Sequence, residues 1–154
     1  MAFIVDTYLA PLAAPNALVT SVRCVLRSGN RVMVMENAEG RRHVLPGGRI
    51  EPGESFFGAL RREIREETEY ALAGAELLGA CVFTHTTPRP DNYQYPYPTM
   101  IHLIYRAEAG EADPGGMDHQ GFEVSCEFVS RDELERIVLT AGERALVEAS
   151  YADP

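Results

Sequence analysis

Apolar positions along the chain follow two rhythms. Residues 18–26 (LVTSVRCVL) form a nearly unbroken apolar run that reads as a buried strand, and Ser28-Gly29-Asn30 turns it back into the alternating RVMVM of residues 31–35. Residues 77–84, the alternating MIHLIYRA of 100–107, and 123–129 supply three more strands. Residues 55–69 follow the helical period instead, with Phe57, Leu60, Ile64 and the methyl of Thr68 on one strip that is expected to bury against a sheet. Ser130 is placed to N-cap a helix through Leu139, with Asp132 and Glu133 in its first turn, and a last helix is expected over about 142–151. The Pro/Ala-containing lead 1–16 predicts a short strand and an irregular stretch. Residues 85–98 form a Pro/Tyr-rich insertion, and 108–121 an acidic, Gly-bearing loop. Strands and helices in this order predict an α+β fold with a mixed sheet between helices, in a single domain over 1–154.

The polar positions of the first helix carry chemistry. Side chains three and four residues apart share a helix face, so Glu63, Glu66 and Glu67 converge, while Arg61, Arg65 and Glu69 fall on a solvated side. Carboxylates this close repel one another unless a cation joins them. Arg62 is within reach of Glu66 one turn on and of Glu54 near the helix start, and its fork can hold a carboxylate bidentately. An all-oxygen donor set suits Mg2+ or Mn2+ better than zinc. An Arg/Glu-laced solvated face is the bland alternative. Against it stands the preceding Leu45-Pro46-Gly47-Gly48, followed by Pro52-Gly53, a Gly-punctuated loop whose backbone can approach a ligand or offer a carbonyl to a metal.

Composition narrows the partners. At 154 residues with 45% hydrophobic content the chain can bury a proper core. A net charge of −9 argues against unaided binding to nucleic acid or to an anionic membrane. A phosphate-bearing substrate therefore calls for a metal bridge. All 14 basic residues are Arg, so direct phosphate contacts fall to guanidinium groups, with Arg41, Arg42, Arg49 and Arg89 nearest the relevant loops. Three widely spaced cysteines, Cys24, Cys81 and Cys126, read as reduced residues of strands, no apolar run approaches a membrane span, and a cytoplasmic location is expected.

Gly48, Glu54, Arg62, Glu63, Ile64, Glu66 and Glu67 stand in the register of the Nudix signature, and the chain is identified on them as a member of the Nudix hydrolase family. The resemblance implies an α/β/α sandwich and cleavage of a nucleoside diphosphate linked to another group, by water attacking phosphorus. It implies Glu63 and Glu67 as primary metal ligands, Glu66 as a ligand directly or through water, and Gly47 as a further ligand through its carbonyl. Arg62 and Glu54 brace these carboxylates. The general base lies within the signature or on a later loop, where Glu123 is the candidate; a solvated acidic residue at a strand start is the competing reading. One position departs: the signature's final Gly is Glu69. A left-handed cap is costly for Glu, so the helix is expected to run on through Ala71 to Ala73 and stop at Gly74.

Substrate choice is expected outside the helix. Tyr95 and Tyr97, in RPDNYQYPYP, offer flat faces for a base and Arg89 a cation, unless the loop merely covers the sheet or mediates a homodimer contact. Arg49 is a phosphate-binding candidate, and His43 either lines a base pocket or lies exposed. His85 and His102 lack the spacing of a shared metal site. The Tyr-Pro-Tyr-Pro pattern loosely resembles NADH-cleaving relatives, whose fuller motif and cysteine zinc module are absent. Nucleoside triphosphates, sugar nucleotides, dinucleotides and a broad housecleaning role all stay open. The alternative from another class is a nucleotide-binding sensor without turnover, disfavoured by retention of every metal-site carboxylate.

Overall fold

A computed structural model describes residues 2–117 and 123–152. Its strands are β1 (Phe3–Tyr8), β2 (Val19–Ser28), β3 (Arg31–Asn37), β4 (Arg42–His43), β5 (Gly47–Arg49), β6 (Tyr70–His85), β7 (Thr99–Ala112) and β8 (Glu123–Val129). Its helices are α1 (Phe56–Thr68), α2 (Arg131–Leu134) and α3 (Ala141–Ser150). One mixed sheet runs β1-β6-β7-β2-β3-β4, with β5 beside β2 and β8 beside β3. The β2–β7 pairing is parallel and the others are antiparallel.

Alternation along the central strands sorts side chains to two cores. Val22, Cys24, Leu26, Met33 and Met35 pack with Leu60 and Ile64 of α1. Val25, Val32, Val34 and Ile104 point the other way, to Leu134 of α2 and Leu146 and Val147 of α3. Burial on both faces explains the apolar residues on both sides of β2, Val22, Cys24 and Leu26 on one and Val25 on the other. This is the expected α/β/α arrangement, and the Ser28-Gly29-Asn30 turn forms as read, with Gly29 at φ 60°.

Four expectations are corrected. α1 does not continue to Gly74: it ends at Thr68, and Glu69 itself takes the left-handed position at φ 62°, ψ 18°. Its N–H donates to Arg65 O, and its side chain accepts from the Gly115 N–H at 3.3 Å. Residues 70–76 are the start of β6, because pairing with β7 from Tyr70↔Ala112 onward supplies backbone partners that an Ala-rich sequence does not advertise. The same pairing extends β7 to Ala112, into the stretch expected as loop; the part of that loop over 118–121 lies outside the described residues. Phe57 is 44% exposed, and Phe56 packs against the core in its place, beside Ala59. Finally, α2 stops at Leu134 rather than Leu139. Its Ser130–Glu133 capping box forms, but Thr140 opens a second capping box for α3, so the chain must leave the helix between them.

Candidate active site

Two elements build the site: α1 and the loop entering it. Ser55 Oγ accepts from the Gly58 N–H at 3.0 Å and starts α1. Arg62, two turns in, is the hub. Its Nε donates to Glu54 Oε1 at 2.8 Å and its Nη2 to Glu54 Oε2 at 2.9 Å, a bidentate pair. Nη1 reaches Glu63 at 2.8 Å and Glu66 at 3.3 Å, and Nη2 also ties down the Arg49 carbonyl at 2.9 Å. Glu54 accepts a further bond from the Glu51 N–H. The Arg62 guanidinium first, and that backbone bond second, hold the Glu54 carboxyl at about 2, well below the carboxylate range.

The other carboxylates are pushed the opposite way. Burial raises Glu67 to about 7, and the negative charges of Glu63 and Glu123 add to it; the Gly47 N–H, which donates to Glu67 Oε2 at 2.8 Å, and the Arg23 charge oppose the rise. Burial also raises Glu63, against the pull of Arg62. Gly47 thus meets the cluster through its N–H, which leaves its carbonyl, the group expected to face a metal, out of that bond. Gly48 is needed for space: a Cβ there would stand 2.5 Å from the Glu63 carboxyl carbon.

Carboxylates held partly buried and near one another fit a hard divalent cation, which relieves their repulsion. One oxygen of Glu123, Oε2, is buried without a partner among the described residues. Among the described residues, no three His, Cys, Asp or Glu side chains close a metal cage by themselves.

A cleft of about 700 Å³, two of whose lining charges, Arg23 and Glu123, reach Glu67 of the cluster, is walled by β1, β2, β6, β7 and the start of α3. His43 and Glu123 meet in it, His43 Nε2 lying 2.9 Å from Glu123 Oε1. Phe83 and His102 pack along its wall with ring centroids 4.3 Å apart, tilted by 40°. Burial, then the charges of Arg23 and Arg49, lowers His102 to about 4, so its ring is neutral at physiological pH. Arg23 escaped the sequence reading, although it is the only charge inside the apolar run of β2. It lines the cleft, holds the Leu45 carbonyl at 2.9 Å and biases Glu63 and Glu67 toward the ionised form.

The other candidates scatter. Arg49 lies beneath the Tyr95 ring, its guanidinium carbon 4.2 Å from the ring centroid, and its Nη1 also contacts the Tyr95 hydroxyl. This couples the Tyr/Pro loop to the end of β5. Arg89 instead donates to the Tyr93 carbonyl, and the Tyr97 hydroxyl to the Thr87 carbonyl at 2.8 Å. Both brace the loop, and neither lines the cleft. His85 is buried, with Nε2 2.8 Å from the Tyr93 hydroxyl.

The NUDIX domain family model matches residues 17–149. An uncharacterised Nudix hydrolase of Bacillus subtilis, YvcI, is 35% identical over 60 residues, which cover 39% of this chain and only 38% of that protein. Solved structures share the fold. A Nudix hydrolase from Nitrosomonas europaea superposes with a TM-score of 0.64 at 22% identity, covering 87% of this chain and 88% of its own. A Bacillus subtilis pyrophosphohydrolase does so at 0.63 and 16%, covering 84% and 77%, and a MutT protein from Bacillus halodurans at 0.62 and 23%, covering 86% and 82%. With the signature residues assembled around Arg62 and the family model spanning most of the sequence, the chain belongs to the NUDIX domain family.

Proposed function

We propose that the chain, acting as one domain, is a divalent-metal-dependent pyrophosphohydrolase of small nucleotide derivatives. The observation that carries this is the Arg62 brace: one guanidinium holds Glu54, Glu63 and Glu66 together, beside a Glu67 whose proton a cation would displace. The pyrophosphohydrolase named among the fold's solved relatives supports the reaction class.

In this reading Glu63 and Glu67 hold Mg2+ or Mn2+. Glu66, its side chain 40% exposed and only loosely held by Arg62, is free to turn toward the metal or a water. Bound there, the cation neutralises the diphosphate and helps to ionise the attacking water. Arg62 and Glu54 fix the directions of the ligating oxygens, as outer partners of metal ligands do. Glu123 takes the water's proton on its unpartnered oxygen. Arg49 meets a phosphate, and the apolar wall at Phe83 and His102 receives the group carried on it. The three cysteines are free thiols, in keeping with a reducing, cytoplasmic setting; among the described residues no helix is long and apolar enough to cross a membrane.

A Mg2+/Mn2+ screen over nucleoside triphosphates, ADP-ribose, NADH, sugar nucleotides and dinucleoside polyphosphates, read by product identity, tests the reading. Hydrolysis at a diphosphate bond that depends on metal and is abolished in Glu66→Gln or Glu67→Gln supports it. Metal-independent turnover, or turnover untouched by both changes, refutes the site.

A further inference from the structure

The cleft contains a His–Glu pair that the signature does not include. His43 ends β4 and Glu123 opens β8, and both strands pair with β3, His43 opposite Met35 and Glu123 opposite Asn37. The sheet therefore brings together two residues 80 positions apart, with His43 Nε2 2.9 Å from Glu123 Oε1. Both side chains are largely buried, 15% and 13% exposed. The other ring nitrogen faces the Leu45 amide, whose N–H lies 3.4 Å from Nδ1. A nitrogen that accepts from an amide carries no proton, so Nε2 bears the hydrogen and donates it to Glu123. That engages Oε1, and Oε2 is left buried with no partner among the described residues. The same segment continues through Leu45 to Gly47, whose N–H holds Glu67, so a single stretch of chain sets both the pair and the carboxylate cluster.

We propose that His43 is a positioning residue for Glu123: its imidazole holds one carboxylate oxygen so that the other is presented to the attacking water, and it does not itself contact the substrate. This rests on the hydrolase reading and assigns within it a role that the sequence had divided between a base-pocket wall and an exposed turn. The geometry accounts for three facts together. A buried carboxylate needs a partner to remain oriented; an oxygen so held has one lone pair fewer to offer a water; and the second oxygen, with no partner among the described residues, is the one open to the water's proton. In the step itself, one O–H bond of water breaks as its oxygen bonds to phosphorus. The proton passes to Glu123 Oε2, and the bridging oxygen leaves with the electron pair of the broken P–O bond.

The test compares His43→Ala, His43→Gln, Glu123→Ala and the double alanine variant on the substrate that the wild type hydrolyses fastest, with Mn2+ affinity measured on each. Loss of a general base costs about 100-fold or more, so Glu123→Ala should fall by that much in kcat. His43→Ala should lose about 10-fold or more in kcat, with KM and the Mn2+ dissociation constant within about 3-fold, because only orientation is lost. Gln at 43 carries an amide N–H able to reach the same oxygen and should restore most of the loss. The double variant should be no slower than Glu123→Ala, since residues acting as a unit are not additive. A His43→Ala that raises KM with kcat intact makes His43 a substrate contact and overturns the proposal; so does one that weakens Mn2+ binding, or losses that multiply in the double variant. Independently of turnover, the imidazole nitrogen spectrum should show the proton on Nε2, with its resonance lost in Glu123→Ala; an Nε2 that carries no proton refutes the pair. A wild type that hydrolyses nothing in the screen sinks the hydrolase reading, and the nitrogen spectrum still decides whether His43 holds Glu123.

Discussion

Arg62 grips Glu54 through two parallel bonds, Nε to Oε1 at 2.8 Å and Nη2 to Oε2 at 2.9 Å, while its remaining nitrogen holds Glu63 and Glu66. One planar fork thus sets three carboxylates and a loop carbonyl. Lys has one point charge and cannot replace it. Arg62→Lys should weaken Mn2+ binding by about 10- to 100-fold, the usual effect of removing a partner that orients metal ligands, with the thermal midpoint of the metal-free protein nearly unchanged. Titration by calorimetry reads this. Undiminished affinity would mean that the brace is only structural.

The glycine pair before α1 separates folding from function. A Cβ at Gly47 would sit 2.3 Å from the Val22 carbonyl oxygen at φ 134°, a clash with backbone in a conformation side chains avoid. At Gly48 the Cβ would instead meet the Glu63 carboxylate, at 2.5 Å from its carboxyl carbon, and that side chain can swing away. Gly47→Ala should therefore lower stability by about 2 kcal/mol or more. Gly48→Ala should fold normally and lose metal affinity. Urea unfolding and Mn2+ titration together check the split, and equal destabilisation by both changes would contradict it.

Tyr95 covers Arg49 with both its ring and its hydroxyl. If Arg49 meets a substrate phosphate, the ring holds the guanidinium ready. Tyr95→Ala should raise KM by about 2- to 5-fold, the worth of one exposed cation–π contact, with kcat little changed. Tyr95→Phe keeps the ring and should sit between. A KM unmoved by Tyr95→Ala would assign the contact to loop packing alone.

How much of this was legible in the chain depends on where each interaction is encoded. α1 could be read because local spacing specifies it: Arg62, Glu63, Glu66 and Glu67 share a face by helical period alone, and Arg62 reaches back to Glu54 across a single loop. Residues 70–76 could not, because an Ala-rich segment has no strand preference and becomes β6 only through pairing with β7. Arg23 was hidden by its surroundings, since a cation between apolar strand residues gives no sign of which face it takes. Glu123 was found as an acidic strand start, but its partner was not, since only the shared neighbour β3 brings His43 to it. Phe57 went wrong by one helical position. Phe56 is as apolar, and nothing local says which of two adjacent rings faces the sheet.

The pH dependence of the metal-free protein follows from Glu67. Its carboxyl is raised from 4.5 to about 7 in the fold, so between those values the folded protein keeps a proton that the unfolded chain has released. The Glu67 contribution to stability therefore falls as pH rises through this window, and its penalty is complete above pH 7 and absent below about 4.5. A divalent cation bound to the ionised carboxylates removes the penalty, so saturating Mg2+ should raise the thermal midpoint more at pH 8 than at pH 5.5. The metal-free Glu67→Gln variant should lose most of the slope. His102, which the fold keeps neutral, adds a slope of the opposite sign below about pH 6.5. Differential scanning calorimetry from pH 5 to 8.5 therefore reads the Glu67 contribution as the difference between metal-free wild type and Glu67→Gln, and a difference of opposite sign would reject the assignment.

Glu69 holds the left-handed cap at φ 62° that the family signature gives to Gly. A Cβ in that conformation costs about 1 kcal/mol, and the negative charge faces the negative end of the α1 dipole. Against this, Glu69 Oε1 accepts from the Gly115 N–H at 3.3 Å, a long and exposed bond that offsets only part of the cost. Glu69→Gly should therefore stabilise the protein, by about 0.5 to 1 kcal/mol, although Gly also loses more freedom on folding than Glu. The metal-facing carboxylates all precede this turn, so Mn2+ affinity and turnover should stay within a few-fold. A large gain in turnover would show that Glu69 impairs the native site. A loss of stability would show that the Gly115 contact outweighs backbone strain and that the departure from Gly is a structural gain.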